Sequence, residues 1–261
     1  MSFSKYSQYP VVGRISAKDI KNLSHVISTG AKRSGEISYK NEIFKCMIKN
    51  IIFDFGGVLV DWNPHYLFDK YFNDIEEANY FVENVCNSEW NAEMDCGKTF
   101  EQAVKERTAL FPKYAEPLKL YQTNWMDTMG DEIPGMYDLI KSLKDNGFPT
   151  IYGLTNWSAE TFPTVQKKYR IFSFIDKIIV SGEVKQLKPN PEIFHTLLNT
   201  FNLKAEESLF IDDNVKNVEG AKAIGINAIR FENAKKLKEE LLTSNVISTG
   251  AVRRSGEISC I

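Results

Sequence analysis

The sequence predicts an α/β fold: a parallel sheet covered by helices on both faces, with an all-helical insert after the first strand. Three observations lead there. Short, almost continuously apolar runs recur from about residue 149 onward, as in strands buried on both faces. Stretches of helical period alternate with them, which is the pattern of βαβ units. One similar run, Ile51-Ile52-Phe53, stands apart from the others, because residues 63–130 contain no strand-like run.

Taken in order, the first strand covers about 48–54. Asn63-Pro64 reads as a helix N-cap and first helical residue, and Tyr66, Leu67, Asp69, Lys70, Tyr71 and Phe72 continue that helix. Helical patterns follow at 75–86, 99–110 and 114–129, with Phe81, Phe100, Tyr121 and Trp125 on the buried faces. Pro134 then opens a helix carrying Met136, Leu139, Ile140 and Leu143, closed by Gly147 just past its end. Strand 149–154, helix 158–169, strand 176–181, helix 190–202, strand 207–211, helix 216–224 and strand 227–231 complete the pattern.

A chain of 261 residues can bury a sizeable core. Its net charge of -2 offers no argument for nucleic acid or a membrane surface, and runs such as Ile178-Ile179-Val180 are too short to span a bilayer. Cys46, Cys86, Cys96 and Cys260 have no metal or redox spacing, which fits a reducing cytoplasm. His25, His65 and His195 are too dispersed for a zinc site. Near-identical copies stand at the two ends, VISTGAKRSGEIS at 26–38 and VISTGAVRRSGEIS at 246–259. A basic, Ser-rich leader could be a transit peptide, but a leader does not explain the copy at the tail. The expectation is that 1–46 and 243–261 are disordered flanking sequence and that the domain begins at Met47.

Chemistry is concentrated in four clusters: Asp54-Phe55-Gly56-Gly57-Val58, Thr155-Asn156, Lys188-Pro189 and Asp212-Asp213-Asn214. Three of them directly follow apolar runs, and open α/β sheets bind ligands beyond the carboxyl ends of their strands. Each has a plainer reading by itself. Asp54 can cap a turn, Thr155 and Asn156 are ordinary turn residues, Lys188 can be solvated surface, and Asp213 or Asn214 can cap a helix. Capping explains one acid, not two. Adjacent carboxylates near a third raise one another's pKa unless a cation neutralises them, and magnesium takes oxygen ligands of this kind. A hydroxyl, an amide and turn N–H groups suit phosphate oxygens, and a fixed ammonium offsets phosphate charge.

The order and spacing of these motifs, from about Met47 to Phe231, resemble the haloacid dehalogenase superfamily of hydrolases. The similarity is greatest to the glucose-1-phosphatase-like branch, with its Asp-x-Gly-x-Val first motif. The resemblance implies a Rossmann-like, three-layer core over 47–61 and 131–235 and a helical cap over 62–130. It implies magnesium and a small phosphorylated metabolite such as a sugar phosphate. Asp54 would be the nucleophile, forming an aspartyl-phosphate, and Lys188 its charge partner. Thr155, Asn156 and Lys188 would bind phosphate. Asp54, the Gly56 carbonyl and Asp213 would ligate the metal directly, and Asp212 through water, unless the last two exchange roles.

One departure stands out. Most phosphatases of the superfamily carry a second Asp two residues after the nucleophile as general acid and base, and here that position is Gly56. Losing such proton transfer typically costs about 10²–10⁴-fold, which favours substrates with good leaving groups: anomeric, acyl or aryl phosphates. Asp61 and His65 are substitutes by position only. Two other readings follow. A 2-haloacid dehalogenase also uses an Asp nucleophile, but Asp212 and Asp213 would stand unneutralised beside it. A catalytically weak module binding a phosphometabolite or a partner protein would explain Gly56, but not the retained acids. Cap tryptophans Trp62, Trp90 and Trp125 are the candidates for specificity.

Overall fold

Seven strands define the framework of the computed structural model, which describes residues 48–148, 150–243 and 246. They are β1 (Asn50–Phe53), β2 (Val60–Trp62), β3 (Met129–Glu132), β4 (Ile151–Thr155), β5 (Lys177–Val180), β6 (Ser208–Asp212) and β7 (Asn227–Arg230). Five form one sheet in the order β5-β4-β1-β6-β7, with every neighbouring pair parallel. The α/β class read from the sequence is therefore observed. The expected extension 1–46, with the first terminal copy, lies outside the described residues, as does all of 243–261 except Thr243 and Val246.

β1 shows why its run is continuously apolar. Ile51 and Phe53 pack on one face with Leu139, Ile140 and Leu143, while Ile52 packs on the other with Phe194, Leu197 and Phe210. Alternate side chains of one strand point to opposite faces, so a strand covered by helices on both sides has no polar face.

Between β2 and β3 the chain is helical: α1 (His65–Phe72), α2 (Ile75–Tyr80) with a π-helical turn Phe81–Val85, α3 (Ser88–Asp95), α4 (Phe100–Leu110) and α5 (Ala115–Thr123). Asn63 Oδ1 accepts from the His65 amide at 3.0 Å, as the capping pattern required. Phe81, Phe100, Tyr121 and Trp125 are all buried, as read from the sequence. Two elements of this region differ from that reading. α3 has little amphipathic pattern; it starts where Asn87 Oδ1 accepts from the Trp90 amide at 3.0 Å. The helix expected to reach 129 stops at Thr123, and Met129–Glu132 instead pairs antiparallel with β2. Met-Gly-Asp-Glu has one apolar residue and no strand pattern of its own; its partner imposes the extended form.

The remaining helices are α6 (Met136–Asp145), α7 (Phe162–Lys168), α8 (Ser181–Val184), α9 (Pro191–Phe201), α10 (Val215–Ala223) and α11 (Ala234–Thr243). α11 was not anticipated. It buries Ala234, Leu237 and Leu241 in the same cluster as α6, so packed structure continues beyond residue 235. Among the described residues no helix is long and apolar enough to cross a membrane.

Candidate active site

Because β1 lies between β4 and β6, the last residues of these strands meet. Asp54 follows β1, and its amide donates to the Ile211 carbonyl at 2.9 Å. Thr155 ends β4 and Asp212 ends β6. Lys188 arrives on the loop after α8, and Asn156 fixes that loop from both sides. Its Nδ2 donates to the Lys188 carbonyl at 3.0 Å, and its Oδ1 accepts from the Lys188 amide at 2.9 Å. Those bonds give the Asn156 amide a positioning task that the sequence did not reveal.

The Lys188 ammonium is buried and has three acceptors: the Leu154 carbonyl at 3.0 Å, Asp212 Oδ2 at 2.7 Å and Asp54 Oδ1 at 2.8 Å. Burial pushes its pKa down, but the two carboxylates outweigh burial and hold it above the ordinary lysine value. The Asp54 pKa is raised as well: burial, with repulsion from Asp212, takes it to about 7 against the pull of Lys188. Asp212 has both oxygens occupied, by Lys188, the Asn214 amide at 2.8 Å and Asn217 Nδ2 at 3.0 and 3.1 Å. Asp213 is the more open acid, and burial followed by the Asp212 charge raises its pKa. Asp54, Asp212 and Asp213 each offer an oxygen, all within 4.8 Å of one another. This donor set suits a hard divalent cation. Thr155 Oγ1 is buried with no hydrogen-bond partner, a condition that native structures seldom leave unexplained.

The turn after Asp54 depends on glycine. Gly57 has φ +74°, and a Cβ there would lie 2.7 Å from Asp213 Oδ2. At Gly56 a Cβ would stand 3.6 Å from the Trp157 ring, so indole borders the side where a side chain would grow.

A cavity of about 230 Å³ opens over this cluster. Asp54, Gly56, Gly57, Asn156, Trp157 and Asp213 form its floor, and Trp62, Trp125, Asn91 and Asp95 complete the wall. Trp125 and Trp157 meet edge to face, 5.7 Å apart at 66°. Of the three tryptophans singled out for specificity, Trp62 and Trp125 reach this cavity. Trp90 does not: it is buried in the insert, with Nε1 donating to the Ala103 carbonyl. Asp61 and His65 are likewise absent from the lining. Asp61 accepts from the Tyr66 hydroxyl beside a separate depression, and His65 Nδ1 pairs with Asp69 at 2.8 Å. Sequence reasoning missed Asp95 and Trp157. An acid in the last turn of a helix opposes the helix dipole, and that local misfit was the available signal for Asp95.

A parallel α/β sheet whose central strand ends in a buried carboxylate, paired to a lysine and facing a cavity, is the arrangement that the comparisons can be set against. Residues 51–231 match the family model described as haloacid dehalogenase-like hydrolase, and the chain belongs to that family. It is 25% identical to D-ribitol-5-phosphate phosphatase of Bacteroides thetaiotaomicron, over 75% of this chain and 97% of that protein. It is 27% identical to a sesquiterpene phosphatase of Aspergillus oryzae, over 71% of this chain and 91% of that one. Drimenol cyclase of Aspergillus calidoustus is 24% identical over 79% of this chain, which spans only 38% of that longer protein. Among solved structures, a mutant HAD-family enzyme of B. thetaiotaomicron in complex with magnesium and inorganic phosphate superposes with a TM-score of 0.55 at 25% identity, over 71% of this chain and 95% of that one.

Proposed function

We propose that this hydrolase is a metal-dependent phosphomonoesterase acting on a small phosphorylated metabolite, with sugar and polyol phosphates the first class to test. The observation that carries the reading is the Asp54–Lys188–Asp212 array beside the open Asp213 carboxylate. The relatives named as phosphatases support it, as does the similar enzyme holding magnesium and phosphate.

In this reading Asp54 Oδ attacks phosphorus, the ester oxygen leaves, and water then cleaves the aspartyl-phosphate. Asp54, Asp213 and the Gly56 carbonyl would hold magnesium, and Asp212 would be the outer acid because its oxygens already accept from Lys188, Asn214 and Asn217. When bound, the ion neutralises charge on the transferring phosphoryl group. Thr155 Oγ1, which has no partner, donates to a phosphate oxygen. All three Lys188 hydrogens face protein acceptors, so Lys188 orients Asp54 and opposes phosphate charge through its field. Neutralisation of the acids by a cation also favours the ionised, nucleophilic Asp54.

The carboxylate cluster disfavours the dehalogenase alternative, since attack on carbon needs no cation and would leave Asp213 without a counter-ion beside Asp54 and Asp212. The two described thiols, Cys86 and Cys96, are unbridged.

Phosphate release from p-nitrophenyl phosphate and from hexose and pentitol phosphates, with and without magnesium, tests the reading. Magnesium-dependent release that disappears in Asp54→Asn is the expected result. Full activity in that variant would refute Asp54 as nucleophile.

A further inference from the structure

Asp95 ends α3 and lines the cavity above Asp54, yet nothing in the phosphatase reading uses it. Its placement is costly locally, because a carboxylate at a helix C-terminus faces the negative end of the dipole. It is nevertheless held firmly. Its carbonyl accepts from Ser181 Oγ at 2.6 Å, which ties the end of α3 to α8. Its Oδ2 accepts from Asn91 Nδ2 at 2.9 Å. Asn91 Oδ1 accepts from the Tyr121 hydroxyl at 2.7 Å, and Tyr121 accepts in turn from Trp125 Nε1 at 3.3 Å. An amide nitrogen only donates, so Oδ2 is held as an acceptor.

We propose that Asp95 is the general acid and base of this enzyme, supplying from the helical insert the proton transfer that Gly56 lacks. The inference rests on the phosphomonoesterase reading above. In the first step Asp54 forms a bond to phosphorus, the bond from phosphorus to the ester oxygen breaks, and that oxygen takes the Asp95 proton. In the second, Asp95, now a carboxylate, removes a proton from the water that attacks phosphorus, and Asp54 leaves with its electron pair. The two steps consume one water and return both carboxyl groups to their starting states.

Two further observations support the assignment. Gly56 has no side chain and the Trp157 ring stands 3.6 Å from where its Cβ would be, so no acid stands at that position. Burial raises the Asp95 carboxyl to about 7, although the Ser158 amide, the Lys188 charge and Asn91 all favour the ionised form. A group of that strength is well matched to proton transfer near neutral pH. The charged and titratable groups around it are Tyr121 from the insert and Lys188, Asp54 and Asp213 from the core. With an acid present, esters of poorer leaving groups also become substrates.

The test compares full-length wild type and Asp95→Asn with phenyl phosphate and p-nitrophenyl phosphate. The variant should lose about 10²–10⁴-fold in kcat/KM on phenyl phosphate and far less on the nitrophenyl ester, whose leaving group needs no proton. It should also release a burst of one nitrophenolate per enzyme, because the phosphorylated Asp54 lacks its base. Equal losses on both esters without a burst would make Asp95 a structural residue and overturn the inference, as would an unchanged rate on both. If the variant does not fold, the wild type alone decides across a series of substituted phenyl phosphates. A shallow dependence on leaving-group strength supports an acid, and a steep one excludes it. No release by wild type from any ester would refute the phosphatase reading itself, a different failure from an active wild type matched by an active variant.

Discussion

The Lys188 ammonium lies 2.8 Å from Asp54 Oδ1, at the tip of the central strand and almost entirely shielded from solvent. The same nitrogen is 2.7 Å from Asp212 Oδ2, so one cation stabilises two acids that would otherwise repel each other. Removing one partner of a buried ion pair leaves an uncompensated charge and typically costs about 3–5 kcal/mol. Lys188→Met should therefore lose stability of that order in urea denaturation. Its phosphate release should fall as well, because Asp54 is neither oriented nor kept ionised. A variant as stable and active as wild type would contradict the array.

Gly57 controls the Asp213 carboxylate. In Gly57→Ala the new methyl would lie 2.7 Å from Asp213 Oδ2 on a backbone with φ +74°, a conformation costing about 1–2 kcal/mol for a residue with a Cβ. The acid must move. The expected outcome is a rise of at least about tenfold in the magnesium concentration for half-maximal activity, since about 1.4 kcal/mol corresponds to that factor. A magnesium titration unchanged from wild type would separate Asp213 from the metal.

Asp95 carries a stability signature distinct from its kinetics. Burial raises its pKa from 3.8 to about 7, so the folded protein holds that proton more tightly than the unfolded chain. Stability contributed by this group is fully present below pH 3.8 and falls as the pH rises towards about 7. Asp95→Asn removes the titration. Relative to wild type it should be progressively stabilised above about pH 4, levelling off above about pH 7, by at most about 4 kcal/mol. Asp54 titrates in the same window but is common to both proteins and cancels. Parallel stability curves from pH 4 to 8 would show that Asp95 is not perturbed.

α11 should prove integral to the fold. Leu241 is fully buried beside Leu237, in the cluster that includes the α6 leucines. Leu241→Ala should cost about 2–5 kcal/mol, read as a shift in the urea midpoint at constant slope. A loss below about 0.5 kcal/mol, the range of ordinary surface substitutions, would place the helix outside the cooperative unit.

Much of this site was legible from sequence because its signals are local. An apolar run followed by Asp54, Thr155 or Asp212 states both the strand and the residue at its tip, and the parallel topology then brings the tips together. The turn glycines and the Pro134 and Gly147 helix signals are local in the same sense. The β2–β3 ribbon was not legible, since Met-Gly-Asp-Glu carries no period of its own and becomes a strand only by pairing with Val60–Trp62. α11 was missed because its few buried positions acquire meaning only against α6.

The sequence by itself determined the parallel sheet, the helical insert and the four clusters at the sheet edge, because strand period and turn chemistry act over a few residues. Tertiary structure decided what each group touches. It turned Asn156 toward the Lys188 backbone and directed all three Lys188 hydrogens to protein acceptors. It removed Asp61 and His65 from the cavity and brought Asp95 into it. The physical reason is reach: a hydrogen bond of about 3 Å joins residues that packing places together, and their separation along the chain contains no record of it.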